Sequence, residues 1–191
     1  MPYLTDAGTL LVDVLFGLMA LGFVLRVLLQ WVGAPFHNPI CQGIYRLTNP
    51  VLMPLRRALK PWRRIDTAGV VVSFLILALK ALLLLALWRL PLQPAAVLVL
   101  ALAEMLGLLL TFYFWLVLIR VILSWAGNGG GHPAVPLLMQ LTEPLLRPVR
   151  RALPALGGFD LSPLLVSLGL MLARILLVAP LRDLAILLAT R

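Results

Sequence analysis

Four long apolar runs constrain this chain more than any other feature. They cover roughly Thr9–Val32, Ala68–Leu90, Pro94–Ala126 and Leu161–Leu181. The hydrocarbon core of a bilayer is about 30 Å thick, and ~20 mostly apolar residues cross it as a helix. A soluble chain of 191 residues, 62% of them hydrophobic and with a mean hydropathy of +1.06, has too little interior to hide that surface. The runs therefore read as four transmembrane helices. Glycines and prolines mark the joints, in "GAPFHNP", "PLQP" and "GNGGGHP". The first run lacks the basic start and cleavage site of a secretory signal, so it reads as a permanent span.

The charge is sparse and unevenly placed. Only 12% of residues are charged, yet the net charge is +9. Arg46, Arg56, Arg57, Lys60, Arg63 and Arg64 lie between the first and second runs, and Arg147, Arg150 and Arg151 between the third and fourth. Basic loops stay on the cytoplasmic side of a membrane, so both loops are expected there and both termini outside. The single Cys41 excludes an internal disulfide and a multi-cysteine metal cluster. No nucleophile-elbow, zinc-protease, Walker or dinucleotide-binding pattern is present, which points to a non-enzymatic protein without a cofactor.

The chain also repeats itself. Shifted by 94 residues, "RVLLQWVG" from Arg26 falls on "RVILSWAG" from Arg120, and "LTNPVLMPLRRAL" from Leu47 on "LTEPLLRPVRRAL" from Leu141. Asp66 and Ser73 fall on Asp160 and Ser167, and Lys80 on Arg174. Apolar composition could align leucines by chance, but not Arg, Trp, Gly, Pro and Asp together in one register. Residues 1–93 and 94–191 thus read as two units, each a span, a basic loop and a span. An even number of spans gives both units the same orientation, as in parallel transporter repeats. The expected fold is all-α: two tandem helical hairpins, each with a basic amphipathic interfacial segment, forming a pseudo-twofold four-helix bundle.

These motifs resemble the YggT family, also called YlmG, of small bacterial and plastid membrane proteins. The resemblance covers nearly the whole chain and is fullest in "TEPLLRPVRRALPALGGFDLSPLL". The first unit departs from it where "KPWRRIDTAGVV" replaces the "GGFDLSP" portion. The resemblance implies a multi-pass protein of the bacterial inner membrane without an established reaction. It also implies a link to cell division, to envelope, nucleoid or chloroplast organisation, to osmotic tolerance, or to haem attachment in cytochrome maturation.

The repeated loop has helical periodicity. Gln42, Arg46, Asn49, Met53, Arg56 and Lys60 share one face, and Ile40, Ile44, Leu47, Val51, Leu55 and Leu59 the other. Such a helix lies in the membrane interface, where Arg56, Arg57, Arg150 and Arg151 are expected to bind anionic headgroups or an acidic partner. Pro50, Pro54, Pro144 and Pro148 should break it into two pieces, with Thr48 and Thr142 capping the second piece.

Charges inside spans are costly and are usually paired or functional. At about 1.5 Å per residue, Arg26 lies level with Asp66, Asp13 with Lys80, Arg120 with Asp160, and Glu104 with Arg174. These four pairs are expected to fix the register of each hairpin. His37 and His132 miss repeat register by one residue; paired histidines can ligate haem, but two loop histidines in such a chain are more often unrelated. The functional expectation is a scaffold or assembly factor that meets anionic lipid and a membrane-protein partner or a second copy. The alternative is a small transporter or ion-conducting protein in osmotic or ion homeostasis. Nine basic loop residues would permit nucleic-acid contact, but topology already explains them, so none is expected.

Overall fold

Buried in hydrocarbon, a backbone must satisfy its own hydrogen bonds, and each apolar run does so as a helix. A computed structural model of the chain describes residues 2–125, 131–152 and 160–190. Three spans are α1 (Pro2–Val32), α3 (Thr67–Leu87) and α4 (Pro94–Trp125). The fourth is α6 (Ser162–Ala173), a π-helical turn (Arg174–Val178) and α7 (Ala179–Ala189). It runs eight residues beyond the apolar run seen in the sequence. Two shorter helices, α2 (Pro39–Leu55) and α5 (Ala134–Ala152), form the basic loops and lie at the same end of the bundle. No strand occurs among the described residues.

The spans pack in chain order: α1 on α3, α3 on α4, and α4 on α6 and α7. α1 touches α4 only along a narrow strip. Small buried residues bring the helices close, among them Ala81, Ala96, Ala101, Ala185 and Ala189 in one cluster. Gly69 of α3 is the tightest point. A Cβ there would stand 2.6 Å from Val27 Cγ2 of α1.

Local chemistry ends each span. Gly33 takes φ +71°, and Ala34 N–H donates to Leu29 O at 2.9 Å, which closes α1 with a left-handed cap. Arg89 does the same for α3 at φ +57°, with Leu90 N–H donating to Leu85 O at 2.9 Å. The stretch 126–130, which holds Gly127, the repeat counterpart of Gly33, lies outside the described residues, as does 153–159.

The expected break at the loop prolines does not occur. α2 continues through Pro50 and Pro54, and α5 through Pro144 and Pro148. The carbonyls that lose a partner belong to Arg46 and Pro50, and to Gln140 and Pro144, four residues that are all exposed. Solvent or headgroups can satisfy those oxygens, so the prolines cost the helix little. Thr48 is accordingly no N-cap. α2 begins at Asn38, whose Oδ1 accepts from Ile40 N–H at 2.9 Å. His132 repeats this in α5, its Nδ1 accepting from Ala134 N–H at 3.2 Å. The exact repeat partner of His132 is Asn38, which explains why the two histidines are out of register.

The buried stripe of α2 also differs from the sequence reading. It runs through Cys41, Thr48 and Leu52, whereas Leu47 and Val51 are exposed. The helix therefore has three faces rather than two: one against the bundle, one apolar and open to lipid, and one polar.

Candidate functional site: two arginine clamps and an intramembrane charge cluster

The repeated residues meet in space. At the basic end of α1, Arg26 is buried and donates to Thr48 Oγ1 at 2.8 Å and Asn49 Oδ1 at 2.7 Å. Thr48 Oγ1 in turn donates to Ile44 O, back along its own helix, at 2.7 Å. The Arg26 guanidinium also lies over the Tyr45 ring, 4.3 Å from its centroid. On its other side, Arg26 Nε reaches Asp66 Oδ2 at 3.4 Å. Asp66 is fully buried at the start of α3, and Arg56 from the end of α2 also binds its carboxylate. Asp66 stands at the N-cap position, but its side chain is committed to the two arginines and caps no N–H.

The second unit builds the same clamp with one change. Arg120 donates to Thr142 Oγ1 at 2.7 Å, and Thr142 donates to Leu138 O at 2.7 Å. Glu143 stands where the first unit has Asn49, and it binds Arg120 at 3.0 Å and Arg150 at 3.5 Å. Arg150 binds Asp160 at 2.9 Å, as Arg56 binds Asp66. The expected Arg120–Asp160 pair is thus corrected: Glu143 intercepts Arg120, and Asp160 turns to Arg150. Asp160 Oδ1 also accepts from Ser162 N–H at 3.0 Å. Partial burial opposes ionisation of Asp160, but the bonds from Ser162 and Arg150 prevail and hold its carboxyl below the usual range. The stability this adds is present above the unfolded-state pKa and is lost as pH falls through the lower folded-state value.

The doubled arginine divides its work. Arg56, partly buried, and Arg150, half exposed, each tie the end of an amphipathic helix to the next span through an aspartate. Arg57 and Arg151 are exposed and make no ion pair among the described residues. Each clamp therefore fixes an amphipathic helix to the bundle at its middle, through threonine, and at its end.

A second cluster sits in the opposite half of the membrane. Lys80 of α3 is buried and binds Asp13 of α1 at 2.9 Å; it also binds Glu104 of α4. Glu104 is held from its other side by Arg182 of α7 at 2.8 Å. The expected Glu104–Arg174 pair is corrected here. Equal depth was the whole basis for it, but Arg174 is exposed and makes no ion pair among the described residues. Arg182 lay just past the span boundary read from the sequence, which is why it was missed. The four charges balance as two cations and two anions. A hollow of ≈ 110 Å³ lined by Asp13, Trp88, Glu104 and Arg182 opens beside them.

Between the units, at the basic end, lies an apolar pocket of ≈ 220 Å³. Leu25, Leu29, Ile40 and Ile44 line one side, and their repeat counterparts Ile119, Leu123, Ala134 and Leu138 the other. The pocket thus lies on the axis that relates the two units. Asn38 Nδ2 crosses that axis to donate to Pro133 O at 2.7 Å.

Four apolar spans, two clamped amphipathic helices and an internal repeat define a small integral membrane protein built from tandem hairpins. The CCB3/YggT family model matches residues 5–87 and 99–181, two segments set 94 residues apart like the repeat itself. The chain belongs to that family. It is 37% identical over 161 residues to the uncharacterized protein YggT of Escherichia coli, covering 84% of this chain and 83% of that one. It is 38% identical over 174 residues to an uncharacterized protein in the proC 3'region of Vibrio alginolyticus, covering 90% and 94%. No solved structure matches.

Proposed function

We propose that this protein is a non-enzymatic scaffold or assembly factor of the bacterial inner membrane. The observation that carries this reading is the pair of clamps. They hold two basic amphipathic helices rigidly against the spans while leaving Arg57 and Arg151 exposed. A loop that served only as a topology signal would need neither buried threonine hydroxyls nor carboxylates placed to hold its arginines. The two helices instead form a fixed basic platform for anionic headgroups, each surface cation contributing about 1 kcal/mol. Such a platform suits a role in cell division, envelope organisation or cytochrome maturation, the processes that the family resemblance implies.

In this reading the basic platform faces the cytoplasm and both termini face outward. A reporter fused after Thr190 is expected to be active only outside; an active cytoplasmic fusion there would overturn the orientation. Replacing Arg57 and Arg151 by glutamine should weaken binding of the purified protein to anionic lipid severalfold, with all spans still inserted. The same change at Arg56 and Arg150 should instead loosen α2 and α5. Hydrogen exchange within those helices separates the two outcomes.

A second reading, as a small transporter or ion-conducting protein, draws on the hollow beside Asp13, Glu104 and Arg182. Lys80 lies at its inner side and pairs with both carboxylates, so a fixed cation faces any entering cation. Liposomes containing only this protein are therefore expected to show no proton, sodium or potassium flux above protein-free vesicles. Selective flux above that background would favour transport over the scaffold.

A further inference from the structure

The two units differ at one pair of equivalent positions in a way that leaves a charge in lipid. Lys80 and Arg174 correspond across the 94-residue shift. Lys80 is buried, met by Asp13 from the preceding span and by Glu104 from the span that follows. Arg174 is exposed and makes no ion pair among the described residues. Gly107 stands where the second unit would need its Asp13, and no carboxylate from another described span meets Arg174 as Glu104 meets Lys80.

The depth makes this consequential. The last span runs from Ser162 to Ala189. Arg174 is twelve residues from one end and fifteen from the other, or about 18 and 22 Å. The span is longer than the ~30 Å hydrocarbon core, so the Arg174 guanidinium lies near the middle of that core, up to about 15 Å from the nearer interface. It also opens the π-helical turn, a local widening often found at functional sites. Pro180 accounts for the widening, since its ring would crowd the carbonyl four residues back in a regular helix. A hollow of ≈ 370 Å³ lies on this face, lined by Met171, Arg174, Ile175, Val178, Arg182 and Asp183. Only 6% of the most apolar stretch of this span is buried, against 39% in α3, so the face is unpartnered among the described residues.

From this we infer that the face of the last span receives a transmembrane helix of another protein, which brings an aspartate or glutamate at mid-depth to Arg174. The partner helix takes the place against α6 and α7 that α4 takes against α3, and its carboxylate does for Arg174 what Glu104 does for Lys80. A second copy of this chain does not fit. Its carboxylates at this depth, Asp13 and Glu104, are already bound to Lys80, and its last span, packed in parallel, would set Arg174 against Arg174. The inference rests on the scaffold reading and names the chemistry of what is held.

The test places a photo-crosslinking residue at Leu177, beside Arg174, in the full-length protein in its native membrane. A control crosslinker sits at Leu15 on the exposed side of α1. The expected product at Leu177 is a membrane protein joined through a span with a carboxylate near its middle. Arg174→Leu should cut its yield at least tenfold, Arg174→Lys should retain most of it, and exchanging Arg174 and the partner's carboxylate should restore it. Removing a lone charge from lipid favours insertion, so loss of folding does not explain the Arg174→Leu result. Crosslinks only to lipid, or only to a second copy, overturn the inference. So does a protein crosslink that Arg174→Leu leaves unchanged, although the scaffold reading then stands. That reading falls separately, by selective ion flux through the purified protein.

Discussion

Lys80→Ala is expected to destabilise the bundle by about 3–5 kcal/mol, the usual result when one partner of a buried ion pair is removed. The loss strands Glu104, which is 8% exposed and keeps only Arg182, and it frees Asp13. Asp13→Ala should cost less, because Asp13 is 46% exposed and Lys80 keeps Glu104. The double change should cost less than the sum of the two, with a coupling of about 0.5–3 kcal/mol. Unfolding in bicelles, followed by denaturant titration of the single and double mutants, reads this directly. Strict additivity would mean that Asp13 and Lys80 do not interact. The same double mutant bears on function. A scaffold should keep its activity once stability is restored, whereas a transporter should fold and remain inactive.

Arg26→Ala should rival that loss, and its repeat counterpart should not. Arg26 holds Thr48, Asn49, the Tyr45 ring and the fully buried Asp66. Without it, Asp66 retains only Arg56, and a cost of about 3–5 kcal/mol is expected. Arg120→Ala should cost about 1 kcal/mol, because its partner Glu143 is 42% exposed and keeps Arg150. Amide exchange across α2 should rise sharply in Arg26→Ala, and across α5 only modestly in Arg120→Ala. Equal costs in the two units would show that burial of the clamp does not set its strength.

The unit carrying the stronger clamp is also the one with both cations neutralised. The first unit buries Arg26 and Lys80 against carboxylates from three helices. The second leaves Arg150 half exposed and Arg174 open to lipid. One duplicated hairpin has thus become the anchored half of the bundle, and the other presents a surface.

The sequence by itself determined the class of the protein. Length and hydropathy demanded four spans, and the repeat of Arg, Thr, Pro, Arg, Arg and Asp showed that the two loops do the same thing. Helical rise alone set Arg26 level with Asp66 and Asp13 level with Lys80, and these residues lie 3.4 and 2.9 Å apart. Depth is a single coordinate, however. Which side of a helix a residue faces, and which span stands beside it, depend on packing between helices far apart in the chain. Lateral order placed Lys80 against Glu104 of the next unit, and rotation of the last span turned Arg182 inward and Arg174 out. Glu143, which the sequence shows only as a departure from Asn49, took Arg120 from Asp160 because α5 carries it within reach. The prolines ran through intact helices because tertiary packing left their orphaned carbonyls on the exposed face. Periodicity along a chain fixes what can span a membrane; only the azimuth of each helix against its neighbours decides which charges meet.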